Sequence, residues 1–232
     1  LTLQLPEKAA MGPRWHLLTQ DCLLCGAASG VRPVCDDCDE ALPAIGAACP
    51  GCAIPLPQEG ICGQCLSRPF AFDDAVACFE YRFPLDRLVQ RFKFGGDLAL
   101  GRWLAMRLAH RVSNACPDLV VAPPLTRARL TERGFNQALE IAKVVARRRR
   151  ARCDISAIRR VRDTAPQPGL GRRERRANLR DAFRCDLDVK GLHVAVVDDV
   201  MTTGATIDAM ACALKQAGAA RVSAWSVART VR

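Results

Sequence analysis

Residues 194–210 read VAVVDDVMTTGATIDAM. A run of apolar residues leads into two adjacent aspartates, Asp198 and Asp199, and a Thr/Gly-rich turn then opens a helical pattern. The whole chain carries a formal net charge of +10, so an acidic pair at the end of an apolar strand asks for a reason. With His193 in front, HVAVVDD has few polar interruptions, the mark of a parallel strand buried on both faces. GATIDAMACALKQAGA keeps helical spacing up to Gly218, and RVSAWSVAR, residues 221–229, is a second strand.

Outward from this unit the same alternation continues. FDDAVACFEY predicts a strand, and Pro84 opens a helix, PLDRLVQRFKF, that ends at Gly95 and Gly96. LALGRWLAMRLAHRV is helical, PDLVVAPPL is a short buried strand stopped by prolines, and NQALEIAKVVARRRR is a helix with a basic C-terminal end. Strands alternating with helices predict an α/β fold with an open, mostly parallel sheet flanked by helices. The expected organisation is an N-terminal extension at 1–20, a small cysteine module at 21–68 and the α/β domain at 69–232.

In open α/β sheets ligands bind beyond the carboxyl ends of the strands, where Asp198 and Asp199 stand. The helix that begins after TTGAT turns its free N–H groups outward, which suits a phosphate, and Gly204 permits close approach of the anion. Carboxylates repel phosphate but accept hydrogen bonds from a diol. A ribose 5-phosphate satisfies both halves, with a divalent cation beside the carboxylates. A plain strand-to-helix turn with a threonine cap is the competing structural explanation.

VAVVDDVMTTGATIDAM closely resembles the phosphoribosyl-pyrophosphate (PRPP) motif of type I phosphoribosyltransferases. The resemblance implies that fold, with Asp198 and Asp199 on the ribose hydroxyls and Thr202, Thr203, Gly204, Ala205 and Thr206 around the 5-phosphate, Mg²⁺ accompanying PRPP. If the chain is catalytic, the two aspartates carry the reaction. Purine-salvage members have an aspartate where this chain has Thr202, which argues against a purine acceptor. RFKFGGD, RLTERGFNQA and APQPGLGRRERRANLRDAF, together with the cysteine module, are similar to the ComF family. That resemblance covers the chain from about residue 22 onward. It implies a role in uptake of transforming DNA, and so single-stranded DNA as a partner, with a competence-machinery protein meeting the cysteine module. By the same resemblance, the loop with Gln167, Arg175, Arg176 and Asn178 corresponds to the flexible hood that closes over PRPP. Catalysis, moving 5-phosphoribose to an acceptor with release of pyrophosphate, is the alternative to a binding role.

Eight of the thirteen cysteines form four Cys-x-x-Cys pairs: Cys22/Cys25, Cys35/Cys38, Cys49/Cys52 and Cys62/Cys65. Two such pairs close one tetrahedral zinc site, so about two structural Zn²⁺ are expected, with an iron–sulfur cluster as the rival. Successive pairing and interleaved pairing are both open from the spacing. The remaining five, Cys78, Cys116, Cys153, Cys185 and Cys212, read as buried small residues.

Residues 127–184 hold eighteen Lys/Arg against six Asp/Glu, whereas residues 1–70 hold four against seven. The basic segment therefore supplies the attractive field for phosphates. Arg133, on the segment where type I enzymes place their pyrophosphate loop, is a candidate PRPP contact, and Pro123–Pro124 there is a candidate cis bond. Arg147, Arg148, Arg149 and Arg150, with Arg172 and Arg173, are candidates for DNA contact; a solvated helix end is the plainer explanation of the first four. Phe92, Lys93 and Phe94 interleave aromatics with a cation as a base-stacking platform does, although packing of both rings in the core is favoured. No helix-turn-helix-like segment supports a transcriptional regulator. No apolar run approaches the ~20 residues of a membrane span, and a cytoplasmic protein without membrane insertion is expected.

Overall fold

Residues 20–161 and 181–231 are described by the computed structural model. The chain divides into two compact units, Leu1–Ala41 and Leu42–Arg232. In the smaller, β1 (Gln20–Asp21) pairs antiparallel with β2 (Ala28–Gly30), and α1 (Asp36–Glu40) follows. Cys22 starts a tight turn: its carbonyl accepts the Gly26 amide at 2.9 Å and its amide donates to Ala27 O at 2.7 Å. Gly26 lies at φ 74°, a left-handed conformation that a residue without Cβ adopts freely. Cys35 is the N-cap of α1.

The larger unit opens on the same design. The Cys49 carbonyl accepts the Ala53 amide at 2.7 Å and its amide donates to Ile54 O at 2.9 Å. Ala53, at φ 55°, stands where the first turn has its glycine. Cys62 is the N-cap of α2 (Gly63–Ser67). This segment lies along β3 (Asp74–Glu80): Ile45 N donates to Cys78 O at 2.9 Å, Glu80 N to Pro43 O at 2.8 Å, and Ala44 bridges Phe79. The edge strand of the sheet is thereby covered. The sequence drew its boundary after residue 68, whereas contacts divide the chain after Ala41, because residues 43–45 hydrogen-bond to β3.

After β3 come α3 (Leu85–Gly95), α4 (Leu98–Arg111), β4 (Leu119–Val121), α5 (Arg127–Arg133), α6 (Gln137–Arg149) and β5 (Arg152–Cys153). An antiparallel pair, β6 (Ile158–Arg160) and β7 (Phe183–Cys185), precedes β8 (His193–Met201), α7 (Ala205–Gln216) and β9 (Arg221–Arg229). The five-stranded sheet has the order β3-β9-β8-β4-β5, and every pair is parallel. Along β8, Val194 and Val196 join a core with Ile207, Met210 and Leu214 of α7 and with Ile158 and Phe183. Strand alternation sends Ala195 and Val197 to the other face, where α6 packs with α4 beside it. Gly101 in α4 has a packing reason: a Cβ there would come within 2.2 Å of the Phe92 ring.

Strands β3, β4, β8 and β9 and helices α3, α4, α6 and α7 stand where periodicity placed them. Helix α5, strand β5 and the β6–β7 pair had no such signal, being two to seven residues long. Among the described residues the cis peptide bond is Phe83–Pro84, not Pro123–Pro124. Of the five single cysteines only Cys78 is buried; Cys185 is half-buried and Cys116, Cys153 and Cys212 are exposed. They lie on a loop, on a two-residue edge strand and on the outward side of α7, where small apolar size confers no burial.

Candidate functional site

The acidic pair stands at the carboxyl end of β8, the middle strand of the five, with β4 and β9 on either side. Asp198 is half-buried and Asp199 is buried. Each carboxylate has one oxygen committed to the local backbone: Asp198 Oδ1 accepts Asp199 N at 2.8 Å, and Asp199 Oδ1 accepts Val200 N at 2.6 Å. Asp199 Oδ2 meets Lys93 Nζ at 3.0 Å, with both side chains mostly enclosed. Asp198 is pushed up to about 7, first by burial and next by the charge of Asp199; Lys93 and the Asp199 N–H pull the other way.

Lys93 was read in the sequence only as the cation between two aromatics. It comes from the end of α3, more than a hundred residues before the pair, and no local pattern links them. Its neighbours part company: Phe92 is fully buried, whereas Phe94 is 65% exposed. The Arg133 guanidinium lies 5.5 Å from the centre of the Phe94 ring. Arg133 Nη1 donates to Gln137 Oε1 at 3.2 Å, and Gln137 Nε2 donates to Lys93 O at 3.3 Å. A polar chain thus runs from Arg133 through buried Gln137 to the residue that faces Asp199. Asn136 caps α6 through Leu139 N and donates to Pro123 O at 2.9 Å, which fixes the segment after β4.

Beyond Asp199 the strand ends at Met201, and the turn Thr202–Gly204 leads into α7. Thr202 is exposed and Thr203 is buried, its hydroxyl accepting Ala205 N at 3.3 Å. Gly204 is the N-cap at φ 76°. The first-turn N–H groups of α7, from Ala205, Thr206 and Ile207, have no intrahelical acceptors and carry the positive end of the helix dipole. Carboxylates and an anion-favouring turn therefore sit side by side at one strand end. A separate cavity of about 530 Å³ on the flank of α7, lined by Arg68, Phe70, Asp208 and Cys212 among others, includes neither aspartate. Chemistry, not cavity size, places the candidate site at the strand ends.

Arg147, Arg148 and Arg149 close α6 and Arg150 is its left-handed C-cap. α6 runs from the site end, at Gln137, back towards the amino ends of the strands, about 20 Å away at 1.5 Å per residue. Arg147, Arg148 and Arg150 are exposed; Arg148 donates to the Met106 sulfur at 3.2 Å and half-buried Arg149 to Ser113 O. Gln167, Arg172, Arg173, Arg175, Arg176 and Asn178 lie outside the described residues.

The four sulfur atoms of Cys22, Cys25, Cys35 and Cys38 lie within 4.8 Å of one another, as do those of Cys49, Cys52, Cys62 and Cys65. Successive pairing is therefore the one the fold uses. A tetrahedral zinc with Zn–S bonds of about 2.3 Å sets its sulfurs about 3.8 Å apart. Cys25 to Cys35 is 3.7 Å and Cys52 to Cys62 is 3.6 Å, so both sets fit structural zinc. Burial opposes ionisation of Cys22 and Cys62, yet backbone N–H groups bring them down to about 6 and about 7. Cys38 is pushed up by hydrogen bonding with the Cys25 sulfur and Cys65 by burial; a bound dication removes both obstacles. Among the described residues no helix is long and apolar enough to cross a membrane.

Comparison with known proteins matches residues 16–66 to the double zinc ribbon domain and residues 105–230 to the phosphoribosyl transferase domain. The chain is 35% identical over 220 residues to the DNA utilization protein YhgH of Escherichia coli K12, covering 90% of this chain and 97% of that protein. It is 33% identical over 178 residues to competence protein F of Haemophilus influenzae, covering 72% and 78%. Competence protein ComFC of Bacillus subtilis is 27% identical over 213 residues, covering 85% and 84%.

Proposed function

The chain belongs to the ComF family, in which a double zinc ribbon accompanies a phosphoribosyltransferase domain, and on that premise we propose that it binds PRPP with Mg²⁺ and handles single-stranded DNA for uptake or use. The observation that carries the reading is the adjacency, at one strand end, of two carboxylates and a helix-opening turn with a left-handed glycine. Asp198 and Asp199 accept the ribose hydroxyls. Thr202, Thr203, Gly204, Ala205 and Thr206 surround the 5-phosphate. Lys93, which faces Asp199, and Arg133, linked to it through Gln137, are the cations assigned to the pyrophosphate. The hood residues Gln167, Arg175, Arg176 and Asn178 complete the site from a segment outside the described residues.

Single-stranded DNA follows the basic segment, at Arg147 to Arg150 and at Arg172 and Arg173. The exposed Phe94 ring, with a guanidinium over one face, is a second support for a base-bearing ligand. The zinc ribbons offer an acidic surface to a protein partner, and the protein acts in the cytoplasm.

Calorimetric titration of the purified chain with PRPP, with and without Mg²⁺, tests the reading. Binding should require Mg²⁺, and Asp198→Ala/Asp199→Ala should weaken it at least about tenfold, since each charge-assisted bond is worth about 1.5–3 kcal/mol. Equal affinity in wild type and double variant places the ribose elsewhere. Catalysis is the second reading, favoured by the match to the phosphoribosyl transferase domain over residues 105–230. The bond from C1 of the ribose to pyrophosphate breaks, an acceptor bonds to C1, and pyrophosphate leaves. A screen of nucleobases for pyrophosphate release separates the two readings.

A further inference from the structure

We propose that the Cys49/Cys52/Cys62/Cys65 set acts as a prop for the phosphate turn: metal in that set, acting through Arg229 and Phe70, fixes the backbone of Met201 to Gly204 in its anion-binding conformation. This rests on the reading of Thr202–Thr206 as the phosphate site.

Arg229 ends β9 with 1% of its surface exposed. Its Nε donates to Cys52 O at 2.8 Å. Its Nη1 donates to Met201 O and Thr230 O, each at 2.9 Å, and to Thr202 O. One planar fork thus joins the carbonyl of a metal-ligating residue to the last strand carbonyl and the first turn carbonyl. In a trans peptide the C=O and N–H point opposite ways. Holding Met201 O and Thr202 O towards the guanidinium therefore turns the N–H groups of Thr202 and Thr203 away from it, outward along the turn. The same turn has a second support. Phe70 packs against the cluster of Cys49, Cys52 and Cys65. Its ring also fits against Gly204, where a Cβ would approach it to 3.1 Å. The neighbouring Ala71 N donates to Asp208 Oδ1, in the first turn of α7, at 2.7 Å. The four sulfurs hold the Cys52 carbonyl and the Phe70 seat only while a metal closes them; without it the sulfurs take up protons and no bond ties the four together.

Lysine cannot reproduce the fork, because a point ammonium does not reach carbonyls on opposite sides at once. Arg229→Lys should keep its zinc and its pyrophosphate affinity but bind ribose 5-phosphate at least about tenfold more weakly, the scale of a small misplacement of binding groups. Phe70→Leu, which leaves Arg229 and all thiolates in place, should weaken ribose 5-phosphate in the same sense. Cys62→Ser should do so with loss of zinc, whereas Cys25→Ser, which opens the other set, should not. Amide hydrogen exchange at residues 201–206 should quicken in the first three variants without any ligand. A wild-type chain that binds neither ribose 5-phosphate nor pyrophosphate overturns the functional reading beneath this one. Wild-type binding of both, with Arg229→Lys and Phe70→Leu matching it in affinity and exchange, overturns the prop alone. So does a parallel loss of both ligands, which marks Arg229 as a general stabiliser.

Discussion

Asp198 ties stability and binding together at a single side chain. Its pKa stands at about 7 in the folded chain against an ordinary 3.8, through burial and then the Asp199 charge. Between those values the native state holds a proton that the unfolded chain has released. Its contribution to stability is therefore full below about pH 4 and is lost as pH rises through about 7. Asp198→Asn keeps the shape without the charge. At pH 8 it should melt about 2–4 °C above wild type, the shift expected for about 1 kcal/mol in a chain of this size, and at pH 4 the two should coincide. Calorimetric melting at both values checks this; a variant no more stable at pH 8 shows that Asp198 carries no strain. PRPP affinity of the wild type should rise from pH 6 to pH 8 as the carboxylate ionises, because only the charged form presents acceptors alone.

Helix α6 separates two surfaces by its own length. Its first residue, Gln137, belongs to the polar chain that reaches Lys93, and its last turn carries Arg147 to Arg149 towards the amino ends of the strands. Arg148 and Arg149 tie the helix end to Met106 and Ser113, so they have packing duties besides charge. The cleaner probe of DNA contact is the exposed pair outside those two contacts, Arg147→Ala/Arg150→Ala. If both neutralise phosphates, the slope of log affinity for a single-stranded oligonucleotide against log salt should flatten by about 1.4, at about 0.7 per contact. PRPP affinity should stay as it was. A changed PRPP affinity with an unchanged salt slope reverses the assignment of the two surfaces.

For the whole molecule, the repeated turn design implies repeated metal. Cys22 to Gly26 and Cys49 to Ala53 fold alike, each with a left-handed residue after the second cysteine and a later pair at a short helix start. Metal analysis should find about two zinc ions per chain, one for each four-thiolate set. One or none, or the visible absorption of an iron–sulfur cluster, contradicts this.

Sequence by itself determined the elements with long apolar periods and the features whose chemistry is local. β8 and α7 could be read because burial on both faces, or on one helical face, writes its period into consecutive residues. The aspartate pair, the helix-opening turn at Thr202–Gly204 and the cysteine pairs were legible for the same reason: their partners lie within a few positions. Tertiary structure alone decided the rest. Successive pairing of the cysteines depends on which turns close together in space, and spacing permits either. The seat of the second set on β3 comes from backbone hydrogen bonds that no side chain announces. Phe92 and Phe94 are two residues apart with similar chemistry, yet opposite sides of α3 face core and solvent. Lys93 meets Asp199, and Arg229 meets Cys52, across more than a hundred residues of chain. A charge or a donor specifies that a partner is needed; only the packed sheet decides which one stands within reach.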